Sequence, residues 1–245
     1  MARRRLGFWR RFAVSVVKPP LIGLTRRDWR GMENIPATGP VIIVANHMSH
    51  ADPFVLAHYI YDAGRWPGFL AKASIFEVPV IGRLLRAVGQ TPVARGTVDA
   101  GKALDAAVAA IRAGQAVVVY PEGTTTKEPD LWPMRGKTGA ARLWLATGAP
   151  VVPVVMWGPE QIFDPRTKKL NLKPRIAVTV VAAPPIDLGK WAGAPPTTAT
   201  LQEITEHIML TLRDILVDIR GGPAPQLWPG PSPRPGSAPP ATAEG

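Results

Sequence analysis

The chain alternates short, uniformly apolar runs with longer stretches in which apolar residues recur every three or four positions. The apolar runs predict buried strands, at 41–46, 68–72, 91–94, 116–124 (ending in a turn), 151–157 and 175–181. The periodic stretches predict helices, at 52–64, 81–88, 99–113, 138–147 and along a stripe from Leu201 to Ile219. This alternation is typical of an α/β domain with a mostly parallel or mixed sheet flanked by helices.

The N-terminal residues carry most of the positive charge of the chain. Residues 1–31 hold nine Arg and Lys against one Asp, which accounts for +8 of the formal net charge of +11. The longest charge-free apolar stretch there, 12–17, is far shorter than the roughly 20 residues of a spanning helix. Arginines interleaved with Phe8, Trp9 and Phe12 suit a helix that lies in a membrane interface. We therefore predict a basic, amphipathic membrane-interfacial segment at residues 1–30; a solvated basic arm is the alternative.

The other end of the chain is rich in residues that disfavour packing. Residues 221–245 contain eight prolines and five glycines, a composition that cannot bury enough apolar surface to offset the entropy of ordering. We predict a disordered tail there and the α/β domain at residues 31–220. Outside residues 1–31 the net charge is only +3, too little for a basic face that binds nucleic acid. The expected partner of the basic segment is an anionic membrane surface.

The sequence lacks the motifs of several common classes of enzyme and binding site. The absence of cysteine excludes disulfides, thiolate nucleophiles and zinc–thiolate sites. The GKT triplet at 136–138 fails as a phosphate loop because Leu131 stands where that motif requires glycine. No G-x-S-x-G elbow and no G-x-G-x-x-G fingerprint is present. A serine- or cysteine-based acyl-enzyme is therefore not expected.

Polar residues follow two of the predicted strands, where active groups gather in α/β sheets. His47 ends one strand and Asp52 begins the next helix, while Glu122 follows another strand. Across so short a turn, the carboxylate of Asp52 is able to accept a hydrogen bond from one imidazole nitrogen and leave the other as a proton acceptor. Such a pair corresponds to the base and the orienting carboxylate of a catalytic triad, without the nucleophile that the enzyme supplies in a triad. Two alternatives remain: a purely structural cap, and a metal site made of His47, His50 and Asp52.

Four sequence blocks, in order over about residues 35–185, resemble the glycerolipid acyltransferase family, and most closely its 1-acylglycerol-3-phosphate acyltransferases. NHMSHADP at 46–53 resembles the N-H-x-S-x-x-D block. Residues 71–96 resemble a second block, in which an Ala-Lys pair is followed by P-x-x-G and then by a strand that ends in Arg. YPEGT at 120–124 resembles F-P-E-G-T, and APVVPVV at 149–155 resembles the V-P-V block. The resemblance implies a glycerol-3-phosphate acyltransferase-like fold.

The resemblance also implies roles for individual residues. His47 and Asp52 fall on the catalytic His and Asp, and Arg95 and Lys72 fall on residues that bind the acceptor phosphate. The triplet of Glu122, Gly123 and Thr124 is expected to help bind the glycerol backbone. The implied reaction needs no metal and no cofactor, since acyl-CoA or acyl carrier protein is a co-substrate.

The expected function is transfer of a fatty acyl group to the free hydroxyl of 1-acylglycerol 3-phosphate, which gives phosphatidic acid. A peripheral position on the cytoplasmic face of the cell membrane would reach the lysophospholipid and the soluble thioester donor. The sequence departs from the family pattern at Ala94, where an acidic residue is common, and at Thr125, where an arginine is common. The second change removes a positive charge and leaves glycerol 3-phosphate or another lysolipid as alternative acceptors. A non-catalytic lipid-binding protein and a metal-dependent hydrolase are the remaining alternatives.

Overall fold

The computed structural model describes the backbone of residues 7–93 and 99–229, and the side chains of these residues except 71, 72, 93, 99 and 100. The strands in these ranges are β1 (Thr25–Arg30), β2 (Val41–Ala45), β3 (Pro67–Lys72), β4 (Thr91–Val93), β5 (Ala116–Val119), β6 (Val151–Trp157) and β7 (Ile176–Ala182). The α-helices are α1 (Phe8–Leu24), α2 (Asp52–Asp62), α3 (Ala73–Phe76), α4 (Pro79–Ala87), α5 (Asp99–Arg112), α6 (Gly139–Thr147), α7 (Pro159–Ile162) and α8 (Thr198–Arg220).

The strands form one mixed sheet in the order β1-β7-β6-β2-β5-β3-β4. Neighbouring strands pair in parallel except β6 and β7, which are antiparallel. The carboxyl ends of β2, β3, β5 and β6 therefore meet at the same edge of the sheet. The predicted α/β fold, with a mostly parallel sheet flanked by helices, is confirmed.

Two apolar layers cover the sheet, and they explain why its central strands are apolar throughout. Successive residues of a strand point to opposite faces. Ile42 and Val44 pack in a cluster with α5, α6 and α8, whereas Val41 and Ile43 pack in a second cluster with α2. Because both faces of β2 are buried, alternation with polar residues would place polar groups in a core.

Among the described strands, β1 is not predicted by the hydrophobic pattern, and the short helices α3 and α7 are not predicted either. The sequence of β1, TRRDWR, is mostly charged, and the strand pairs in parallel with β7 at the border of the sheet. Charged side chains suit an edge strand because they hinder pairing with another chain. The segment predicted to lie in the membrane interface therefore divides into helix α1 and a strand that belongs to the sheet. Residues 1–6 of that segment lie outside the described residues.

None of the helices within the described ranges combines the length and the apolar character needed to cross a bilayer. At the C-terminal end, α8 stops at Arg220, and the domain border at this residue stays a prediction. Of the predicted disordered tail, residues 230–245 lie outside the described residues.

Candidate active site

The polar turns that follow β2 and β5 lie side by side because these two strands are parallel neighbours. The first turn carries His47 and leads into α2 at Asp52, and the second begins at Tyr120 and contains Glu122. Their contact is direct, since the backbone N–H of Thr126 donates to the His47 carbonyl at 2.6 Å. The sheet thus brings together two groups of residues that are far apart in sequence.

Asp52 fixes the His47 ring from within the first turn. Its Oδ2 atom lies 2.8 Å from His47 Nδ1 and also accepts the backbone N–H groups of Met48 at 2.6 Å and Ser49 at 2.9 Å. The Asp52 side chain has no exposed surface. An oxygen that accepts two backbone hydrogen bonds is an acceptor for the ring as well, so Nδ1 carries the proton in the neutral ring. Nε2 is then unprotonated.

The face and the backbone of His47 are held by the second turn. The ring stacks on Tyr120, with centroids 4.2 Å apart and planes 22° apart. The His47 N–H donates to Glu122 Oε1 at 3.0 Å. The His47 side chain keeps 12% of its surface exposed, and Nε2 has no hydrogen-bond partner among the described residues. Nε2 is therefore free to accept a proton from a bound substrate.

Two buried residues that the sequence analysis left without roles position the first turn. The Asn46 side chain donates to the Met156 carbonyl at 3.0 Å and accepts the Met156 N–H at 2.9 Å, which ties the end of β2 to β6. Ser49 Oγ donates to the Phe163 carbonyl at 2.6 Å and accepts the Ala51 N–H at 3.1 Å. No periodic pattern marks such residues, because each is defined by a distant backbone partner.

Glu122 is buried between two backbone donors. Its Oε1 accepts the His47 N–H, and its Oε2 accepts the Met134 N–H at 3.1 Å. Burial raises the pKa of Glu122 to about 7, although these hydrogen bonds favour the charged form and oppose the shift. The geometry is that of a residue that supports His47. Direct binding of the substrate by Glu122 stays a prediction.

Gly123 makes the second turn tight. Its φ angle of +71° is one that residues with a side chain rarely adopt, and its N–H donates to the Tyr120 carbonyl at 2.9 Å. Gly123 and Thr124 are both partly exposed at this edge of the sheet. Contact of Gly123 and Thr124 with the glycerol backbone of a substrate remains a prediction.

The two residues predicted to bind phosphate are placed only in part. The backbone of Lys72 ends β3, beside β5, while its side chain is not among those described. Arg95 lies outside the described residues.

The described residues contain no cluster of metal-binding side chains that would support the metal alternative. No group of three or more His, Cys, Asp or Glu side chains there is placed to hold an ion. His50 is exposed, and its ring contacts Phe163 edge-on, with centroids 5.6 Å apart.

Comparisons with known proteins identify the family of the chain. A family model described as "Acyltransferase" matches residues 26–157. A chloroplastic 1-acyl-sn-glycerol-3-phosphate acyltransferase of Brassica napus is 33% identical over 141 residues, which cover 56% of this chain and 39% of that protein. A 1-acyl-sn-glycerol-3-phosphate acyltransferase of Borreliella burgdorferi is 29% identical over 161 residues, covering 65% of this chain and 61% of that protein. The chain thus spans less than two thirds of the length of either relative.

The fold also matches a solved structure. The crystal structure of the 1-acyl-sn-glycerophosphate acyltransferase PlsC from Thermotoga maritima superposes with a TM-score of 0.64. The match covers 89% of this chain and 80% of that chain at 20% sequence identity. It establishes the common architecture.

The raised pKa of Glu122 predicts a pH dependence of stability. Between pH 4.5 and about 7 the folded state holds a proton on Glu122 that the unfolded state has released, so the free energy of unfolding falls as pH rises through this window. Glu122→Gln removes this titration. We expect the stability of the wild type relative to Glu122→Gln to fall by about 2–3 kcal/mol between pH 5 and pH 8 in urea denaturation. Glu77→Gln, at an exposed site, is the matched control, and parallel profiles of wild type and Glu122→Gln would contradict the prediction.

Proposed function

The chain belongs to the acyltransferase family, and from this premise we propose that it acylates the free hydroxyl of 1-acylglycerol 3-phosphate. The donor is acyl-CoA or acyl carrier protein, and the product, phosphatidic acid, serves phospholipid synthesis. The observation that carries the proposal is the His47–Asp52 pair at the carboxyl edge of the sheet, which lies in the block that resembles the family's first block. In the described part of the chain, Nε2 has no hydrogen-bond partner. The names of the two relatives, both 1-acyl-sn-glycerol-3-phosphate acyltransferases, support this choice of acceptor.

The proposed mechanism is a direct transfer. Nε2 of His47 takes the proton from the acceptor hydroxyl as its oxygen attacks the thioester carbonyl. The C–S bond then breaks, and the leaving thiolate takes the proton from the imidazolium to become a free thiol. Asp52 accepts the Nδ1 hydrogen bond throughout and stabilises the positive charge of the ring.

The neighbours of His47 suit this role. Burial raises the pKa of Tyr120 well above its usual range, so the ring that stacks on His47 stays a neutral phenol. The nearest buried serine, Ser49, already donates its hydroxyl hydrogen to the Phe163 carbonyl. With no cysteine in the chain, the nucleophile is assigned to the acceptor, and no acyl-enzyme forms.

The phosphate of the acceptor is assigned to Arg95 and Lys72 on the resemblance. Lys72 is at the carboxyl end of β3, the edge of the sheet to which His47 also belongs. Arginine binds phosphate oxygens in a forked geometry, and lysine does so as a point charge. Glycerol 3-phosphate, which carries the same phosphate, is the alternative acceptor.

We place the enzyme at the cytoplasmic face of the membrane through α1. The exposed fractions of Phe8, Trp9 and Phe12 are 70%, 51% and 45%. Such aromatic residues next to arginines are favourable in a membrane interface. Lys18 pairs with Asp62 of α2, so α1 is held against the domain.

A neighbouring helix adds to this apolar surface. α4 contacts α1, and it exposes 77% of Val80 and 49% of Ile81. Transfer of exposed apolar side chains from water into an apolar phase lowers the free energy. Both helices therefore support a peripheral membrane position.

Substitution of His47 tests the mechanism. We expect His47→Ala to reduce acyl transfer from acyl-CoA to lysophosphatidate by about 10² to 10⁴, the usual contribution of a positioned base. His50→Ala is the matched control and should keep wild-type activity, and each protein is assayed with and without chelator. Full activity of His47→Ala would refute the base assignment. Loss of activity in His50→Ala or with chelator would instead favour the metal alternative.

Substitution of the α1 aromatics tests the membrane position. Point changes are preferable to deletion of residues 1–30 because Thr25–Arg30 forms part of the sheet. We expect Phe8→Ser, Trp9→Ser and Phe12→Ser combined to weaken binding to phosphatidylglycerol-containing vesicles at least about tenfold in sedimentation assays. The double variant Leu170→Ser/Leu172→Ser, which removes exposed leucines between β6 and β7, should bind like the wild type. Undiminished binding of the triple variant would refute this position.

A further inference from the structure

The turn after β5 lacks a cation of its own. Thr125 directly follows the E-G-T triplet, at a position where the glycerolipid acyltransferase family commonly has arginine. A phosphate that approaches this edge of the sheet would therefore meet one positive charge fewer than expected. The same turn carries Glu122, which contacts His47, so the missing charge belongs to the candidate active site.

We propose that Lys137 supplies this charge and binds the phosphate of the acceptor. The inference rests on the proposed function and adds a binding residue that the sequence blocks do not include. Lys137 belongs to the GKT triplet at 136–138, which fails as a phosphate loop by its spacing. Its position in the fold nevertheless places it beside the turn that contacts His47.

The Lys137 side chain lies over the turn. A Cβ atom placed on Gly123 would lie 3.0 Å from Lys137 Cδ and 3.1 Å from Lys137 Nζ. The ammonium group is therefore beside the backbone of Gly123, two residues from Thr125. A side chain at position 123 would have to displace the end of the lysine by a few tenths of an ångström, in addition to adopting a positive φ angle.

The backbone around Lys137 is anchored on both sides. The Lys137 N–H donates to the Pro121 carbonyl at 2.8 Å, and the Met134 N–H donates to Glu122. On the other side, a Cβ atom on Gly136 would lie 2.8 Å from Met209 Cγ of α8. The loop is thus pressed between α8 and the turn, so the start of the lysine side chain is fixed relative to His47.

None of the described carboxylates neutralises the charge of Lys137. The residue is exposed, and its ammonium group makes no ion pair with a carboxylate among the described residues. The nearest acidic residue of the turn, Glu122, already uses both carboxylate oxygens for backbone N–H groups. An unpaired ammonium group beside a tight turn suits a phosphate monoester, to which lysine binds as a point charge.

Two substrates of the proposed reaction carry phosphate, the acceptor and the CoA donor. The contact of the turn with His47 assigns Lys137 to the acceptor, whose hydroxyl must reach Nε2. Kinetics separate the two sources, because loss of a phosphate contact raises KM for the substrate that makes it.

The test compares Lys137→Met with the wild type in mixed micelles. We expect KM for lysophosphatidate to rise about tenfold or more, as for loss of a hydrogen bond to a charged group, with KM for acyl-CoA unchanged. Lys137→Arg should stay close to the wild type, and adding Thr125→Arg to Lys137→Met should recover part of the loss. Lys173→Met, which removes an exposed lysine outside the site, is the matched control.

The outcomes separate the inference from the proposed function. An unchanged KM for lysophosphatidate in Lys137→Met, with an active wild type, would overturn the inference alone. A rise confined to KM for acyl-CoA would also overturn it, because the phosphate bound would then be that of the donor. A wild type that acylates no phosphate-bearing acceptor would overturn the proposed function and the inference with it.

Discussion

One carboxylate oxygen, Asp52 Oδ2, determines where the His47 ring lies. It accepts hydrogen bonds from the ring and from the backbone N–H groups of Met48 and Ser49. Because the Asp52 side chain is fully buried, loss of these donors would leave a desolvated carboxylate, which is strongly unfavourable. The turn between β2 and α2 therefore has little freedom, and formation of the helix start and placement of the base are linked.

The sheet extends this local constraint to a second turn. Since β2 and β5 are parallel neighbours, Glu122 and Tyr120 reach the backbone and the ring face of His47. Asp52 and Tyr120 hold the ring and Glu122 holds the backbone, so the ring is oriented before any substrate binds. This is the condition under which a positioned base is effective. The same turn carries Gly123, against which Lys137 packs. Base, support and proposed phosphate contact thus form one connected unit.

The sequence predicts well what depends on local pattern. Strands buried on both faces must be apolar throughout, so the pattern predicts β2 and β6 within one residue and β5 at its first residue, Ala116. Strand β1 was missed because an edge strand is free to be charged. The nearness of His47 to Asp52 was predictable from a short strand-to-helix turn, whereas the contacts of Asn46 and Lys137 were not. Their partners are set by strand order and loop packing, which no spacing in the sequence encodes.

The protonation of the His47 ring tests the central claim most directly. In a protein with ¹⁵N-labelled histidine, ring ¹⁵N shifts and one-bond proton couplings identify the protonated nitrogen at a pH where the ring is neutral. Our account predicts a proton on Nδ1, donated to Asp52, and an unprotonated Nε2. Asp52→Asn should disturb this preference. A neutral ring with its proton on Nε2 in the wild type would contradict the account. The unprotonated nitrogen would then be Nδ1, which faces the buried carboxylate of Asp52 and not the acceptor hydroxyl.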